Sequence, residues 1–152
     1  KTTFSPICYP LFDPELIFLN LDYTEKKDIL FYVSKALESH GYVMPLFAQS
    51  VYEREQATST AIGNYVALPH GMQAYVNQSR VAIITLKKPI SWDKEEMVDV
   101  IFLLAFKLST HDEIKRVQSF YQEFISLIET NEKISVIRNA RNALELYKYL
   151  IQ

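Results

Sequence analysis

From Val98 to Phe106 the chain is apolar almost throughout, interrupted only by Asp99. A run of this length is too short to cross a bilayer, and its β-branched content suits a strand covered on both faces. Such a strand must lie inside a sheet with packing partners above and below it. The rest of the chain supplies elements of that kind. Leu16 to Leu21 and the β-branched Val81 to Leu86 read as two further strands. Ile29, Leu30, Val33, Ala36 and Leu37 step at helical spacing, with Thr24 as the expected N-cap and Gly41 as the residue past the end. Pro45 opens a second helix that runs through Phe47, Val51 and Tyr52 to about Glu55.

Thr110 and Glu113 have capping-box spacing, and Ile114, Val117, Tyr121, Phe124 and Ile128 continue as a long helix. A short helix around Glu132 to Ile137 follows, and a last one runs from Asn142 to Ile151. Gln56 to Asn64 and Lys87 to Glu96 read as loops. Lys1 to Pro14 has no clear period and reads as an arm or connection. The expected fold is one α/β domain with a mixed sheet.

At 152 residues, 49% hydrophobic and 22% charged, the chain has the composition of an ordinary globular domain with a sizeable core. A formal net charge of -2 gives no nucleic-acid footprint. The single Cys8 excludes an internal disulfide and fits a reducing, cytoplasmic setting. No Gly-rich phosphate loop is present, and no pair of histidines has metal-ligand spacing, so neither a cofactor nor a metal is expected.

Chemistry points to Thr60 through Gly71. The apolar Val66-Ala67-Leu68 is stopped by Pro69 and followed at once by His70 and Gly71, which sets an imidazole at the rim of a strand. Gly63 and Gly71, two of only three glycines, bracket the segment. A neutral imidazole is a good nucleophile near pH 7, and attack on phosphorus calls for donors around the phosphoryl oxygens. Arg54, Ser59, Thr60 and the backbone at Gly71 are the candidates. A strand-end histidine satisfied by a backbone carbonyl fits the same spacing. His111 falls in the first turn of the long helix, as an anion donor or an exposed helix-start residue. His40 suits a helix C-terminus.

The ordered set Arg54-Glu55, Ser59-Thr60, Ile62-Gly63 and Ala67-Leu68-Pro69-His70-Gly71 resembles the fructose/mannitol-type EIIA domain of the bacterial sugar phosphotransferase system. The likeness extends from about Pro14 to Leu150. It implies an α/β domain over residues 14–152, a mixed β-sheet flanked by helices on both faces, preceded by an arm or linker at 1–13. It implies that His70 takes a phosphoryl group from phospho-HPr through Nε2, and that an EIIB cysteine then receives it. Arg54, Thr60, Gly71 and His111 would steady the phosphoryl group.

Tyr65, where members often carry a small residue, and Asp112, where transport members carry an apolar one, depart from the pattern. Lys88-Pro-Ile-Ser-Trp92 and the Val98 to Ala105 strand are most similar to the EIIA-like domain of BglG/LicR/MtlR-type regulators. In those, EIIB-like and PRD modules are linked partners, and this domain touches neither nucleic acid nor membrane. The expected functions are therefore a phosphorylatable regulatory domain, a transport EIIA component, or an interaction module that keeps only the fold. In each case the domain is a phosphocarrier or binding module, not a free-standing catalyst.

Overall fold

The computed structural model describes residues 3–152. Five strands form one mixed sheet in the order β1-β4-β5-β3-β2. They are β1 (Ile17–Leu21), β2 (Ala61–Gly63), β3 (Val66–Ala67), β4 (Arg80–Ser91) and β5 (Met97–Ala105). β1 runs parallel to β4 and β3 parallel to β5, whereas β4 with β5 and β2 with β3 are antiparallel. The helices are α1 (Lys26–Ser39), α2 (Phe47–Ala57), α3 (His111–Ile128), α4 (Asn131–Asn139) and α5 (Ala143–Ile151).

The two-sided burial read in the Val98 to Phe106 run is met. Val100, Phe102 and Leu104 enter one core, under α3, α4 and α5, and Ile101, Leu103 and Ala105 enter the other, under α1 and α2. Period-2 alternation in β5 thus feeds both faces, and helices flank the sheet on both sides.

Several expected boundaries shift. α1 begins at Lys26, with Glu25 rather than Thr24 in the cap position and no side-chain cap bond. α2 begins two residues after Pro45, at Phe47. The polar stretch read as a loop from Gln56 instead finishes α2 and then forms β2, because its backbone pairs with β3 whatever its side chains. β4 runs through Pro89 into the segment expected to be a loop. The β4–β5 register shifts between Thr85 and Ile90, so proline sits in an irregularity where no ladder donor is required.

Residues 3–12 pack onto the domain and do not stand off as an arm. Pro6–Leu11 form a 3-10 helix, and Phe4, Cys8 and Leu11 are fully buried. Phe4 stacks on Phe120, while Glu123 accepts from the Ser5 amide at 2.7 Å and Arg116 donates to the Ile7 carbonyl at 2.8 Å. With Phe4, Cys8, Leu11 and Phe12 all buried, the segment has enough apolar surface to join the core.

In α3 the capping box forms between Thr110 and Glu113 as expected. Its buried stripe is Val117, Phe120, Phe124 and Leu127, so the core face is turned from the expected one. Ile114 and Tyr121 fall at its edge, 38% and 41% exposed. No described helix is long and apolar enough to cross a membrane.

Candidate functional site

A tight hairpin brings the site together. β2 and β3 are joined at Asn64 and Tyr65, both in the left-handed region with φ of 60° and 66°, the geometry a two-residue hairpin turn needs. Left-handed tyrosine is uncommon, and the fold holds it from outside. The Tyr65 carbonyl accepts from the amides of Asp99 and Val100 at 3.0 and 3.1 Å. Arg138 donates to the Asn64 carbonyl at 3.0 Å and pairs with Asp99 at 2.9 Å. Tyr65 therefore lies at the far end of the hairpin and lines neither cavity beside His70.

At the open end, the Leu68 amide donates to the Thr60 carbonyl at 3.0 Å, which sets Ser59 and Thr60 alongside Leu68 to His70. The Pro69 carbonyl accepts from the Leu104 amide at 2.9 Å, and His70 makes a single parallel bridge to Leu104. His70 is thus at the carboxyl end of β3, where open α/β sheets place their ligands.

The imidazole is half-buried. Its Nδ1 lies 3.2 Å from the Leu68 carbonyl oxygen, an acceptor only, so Nδ1 carries the proton and donates. The lone pair then sits on Nε2, for which no protein hydrogen-bond partner occurs among the described residues. One ring nitrogen is thus satisfied by a backbone carbonyl, and the other is left without a protein partner.

Two adjoining cavities flank the ring. One, of about 320 Å³, is lined by Arg54, Ser59, Thr60, Ile62 and Tyr121 among others. The other, of about 240 Å³, is lined by Gly71, Gln73, Phe106, Leu108 and Tyr121 among others. His70, Leu104 and Tyr121 belong to both. No described carboxylate lines either, so the electrostatic setting suits an anion.

Arg54, in the last turn of α2, gives one Nη1 bond to the Thr58 carbonyl at 2.6 Å. That bond fixes the guanidinium at the cavity wall and leaves its other donors for a guest. Thr60 lines the same cavity, but its hydroxyl donates to Glu55 at 2.5 Å and its amide to Glu55 at 2.8 Å. Its proton is therefore committed away from the cavity. Glu55, only 4% exposed, also accepts from Trp92 Nε1 at 3.0 Å and faces Lys26 at 3.6 Å. The Glu53-Arg54-Glu55 run thus contains a buried anchor that fastens α2 to the site loop.

Ser59 accepts from the Ala61 amide at 3.2 Å, and its hydroxyl holds the exposed Asp93 carboxyl below its usual range. Gly71 contributes through its lack of a side chain. A Cβ there would lie 2.6 Å from Phe47 Cε1, 2.7 Å from Ser50 Oγ and 2.8 Å from Val51 Cγ2. The glycine lets the strand end close on α2.

His111 is exposed at the start of α3 and lines neither cavity, so the structure does not bring it to His70. Tyr121, ten residues on along the same helix, does reach the site. Sequence reasoning assigned it to the core; the signal that separates it, an amphiphilic phenol at the edge of an apolar stripe, is faint without the fold.

A family model described as the phosphoenolpyruvate-dependent sugar phosphotransferase system, EIIA 2, matches residues 10–152. Transcriptional regulator ManR of Bacillus subtilis (strain 168) is 28% identical over 137 residues, covering 90% of this chain and 20% of the regulator. The chain thus spans a fifth of that relative's length. The mannitol-specific phosphotransferase enzyme IIA component of Halalkalibacterium halodurans is 27% identical, covering 78% of this chain and 94% of that protein. The crystal structure of IIA mannitol from Escherichia coli shares the fold with a TM-score of 0.75 at 19% identity, covering 91% of this chain and 98% of that one. Members of this family are EIIA phosphocarrier domains of that system. The chain belongs to the EIIA 2 family of the phosphoenolpyruvate-dependent sugar phosphotransferase system, homologous both to a IIA transport component and to part of a transcriptional regulator.

Proposed function

We propose that His70 accepts a phosphoryl group from phospho-HPr on Nε2, with Arg54 as its charged partner. The observation that carries this reading is the Nδ1 contact to the Leu68 carbonyl at 3.2 Å, which leaves the Nε2 lone pair free in a ring that lines a cavity shared with Arg54 and with no carboxylate. In the transfer the Nε2–P bond forms as the bond from phosphorus to the donor's leaving nitrogen breaks, and that nitrogen keeps the electron pair. The ring becomes cationic, and the Leu68 carbonyl stabilises the Nδ1–H that it already holds. Arg54 meets the phosphoryl charge with a fork that cannot lose its proton.

The phosphorylated domain acts as the regulatory part of a PRD-containing regulator, residues 14–152 forming the phosphoryl-acceptor unit. Likeness to ManR and to the Lys88 to Trp92 phrase of such regulators supports this. A phosphoryl group adds charge and acceptor oxygens at one surface, enough to remake a contact with a linked EIIB-like or PRD module. Similarity to a mannitol-specific IIA component favours a second reading, in which the group passes on to an EIIB cysteine for sugar uptake.

The test is incubation with phosphoenolpyruvate, enzyme I and HPr. An acid-labile, base-stable label present in the wild type and missing in His70→Ala is expected; no label, or a label retained in His70→Ala, rejects the acceptor role. Genomic context separates the two fates. PRD and helix-turn-helix segments in the same reading frame support the regulator, and a short separate frame supports the transport component.

A further inference from the structure

We propose that Tyr121 donates its phenolic hydroxyl to the phosphoryl oxygens during transfer to His70, making it a catalytic residue alongside Arg54. The inference rests on the reading of His70 as acceptor and deepens it. Its starting point is that Tyr121 and His70 wall both cavities at the strand end, so a group on Nε2 that enters either space does so beside this ring.

The other hydroxyls and the second histidine are engaged or remote. Thr60 spends its proton on Glu55, Ser59 lies beside the Asp93 carboxyl that it holds below its usual range, and His111 lines neither cavity. The Tyr121 hydroxyl has no hydrogen-bond partner among the described residues. Burial holds its phenol above its ordinary value, so it stays protonated and remains a donor wherever the imidazole is neutral.

The ring is held in place. It packs edge-on to Phe106 at 5.8 Å and 86°, and to Phe120 at 5.8 Å and 66°. α3 itself is fastened to the N-terminal segment through Arg116 and Glu123. A donor fixed before the charge develops costs no reorganisation when the transfer occurs.

The experiment uses phosphoramidate, a small donor whose P–N bond breaks with release of ammonia, so that protein docking plays no part. Wild type, His70→Ala and Tyr121→Phe are labelled side by side, and the phosphorus resonance of phospho-His70 is titrated with pH. Phenylalanine keeps the ring and its packing, and an unchanged thermal midpoint verifies that. Losing one donor to a charged acceptor slows labelling about tenfold. It also raises the pKa of the bound phosphoryl group, because a hydrogen bond to the dianion favours that form.

Both changes together in Tyr121→Phe support the inference. A labelling rate within about twofold of wild type overturns it. So does a slower rate with an unmoved phosphoryl titration, since that marks a packing role. A wild type that takes no label on His70 instead removes the acceptor reading, and this inference with it.

Discussion

Replacing Gly71 with alanine sets a methyl group against the buried wall of α2. The new Cβ would stand 2.6 Å from Phe47 Cε1, 2.7 Å from Ser50 Oγ and 2.8 Å from Val51 Cγ2, all well inside contact distance. Phe47 and Val51 are fully buried, and the Ser50 hydroxyl is fixed between the Phe47 carbonyl at 2.7 Å and the Met72 amide at 3.0 Å. None can swing aside, so the strand end must move. Overpacking costs about 1–3 kcal/mol, and three simultaneous clashes put this case near 3 kcal/mol. For a domain of this size the thermal midpoint then falls by about 6–12 °C.

Urea unfolding should show a lower midpoint with an unchanged slope. Because His70 is the preceding residue, phosphoryl labelling should slow as well. Removing one clash partner supplies the internal control: Val51→Ala combined with Gly71→Ala should be more stable than the sum of the singles by about 1 kcal/mol. Strict additivity, or a Gly71→Ala protein within about 0.5 kcal/mol of wild type, would refute the packing argument.

Glu55→Ala should cost about 3–5 kcal/mol in urea unfolding, because it strands the Thr60 amide and hydroxyl and the Trp92 indole N–H together. A loss under about 1 kcal/mol would contradict the anchor role. Arg54→Ala should slow labelling of His70 about tenfold or more while moving the unfolding midpoint by less than about 1 kcal/mol; unchanged labelling would remove Arg54 from the site. His40 is held above its ordinary value of 6.5, first by the Ala36 carbonyl and then by Glu15. A raised folded-state pKa stabilises the fold fully below pH 6.5 and is lost as pH rises through that higher value. The stability difference between wild type and His40→Ala should therefore shrink on going from acidic to mildly alkaline pH, and a difference that grows would reverse the assignment.

What the sequence disclosed was whatever depends on local pattern. The two-faced strand at Val98 to Ala105, the Thr110–Glu113 capping box and the break at Pro69-His70 all follow from periodicity, side-chain chemistry and backbone restriction within a few residues. β2 escaped notice because three residues at a sheet edge need only backbone pairing, which leaves no hydrophobic signature. Residues 3–12 read as an arm because Pro6 and Pro10 argue against a regular element, yet Phe4, Cys8 and Leu11 are buried in and beside a short 3-10 helix. Thr60 was expected to offer a donor, and its partner Glu55 is a separate choice made by the turn after α2.

Tyr121 exposes the deeper limit. Hydrophobic spacing reports which face of α3 is apolar, yet that face is wide, and its centre and rim carry the same kind of residue. Only the position of β3 against β5 decides which rim residue meets His70. The two sit together because the left-handed turn at Asn64 and Tyr65, braced by Arg138 and Asp99, fixes how far the hairpin extends along β5. His70 and the residues around it thus come from α2, α3 and the β2–β3 hairpin with its flanks, elements whose convergence is a property of the sheet. A motif can name the imidazole; the company it keeps is decided by strand order.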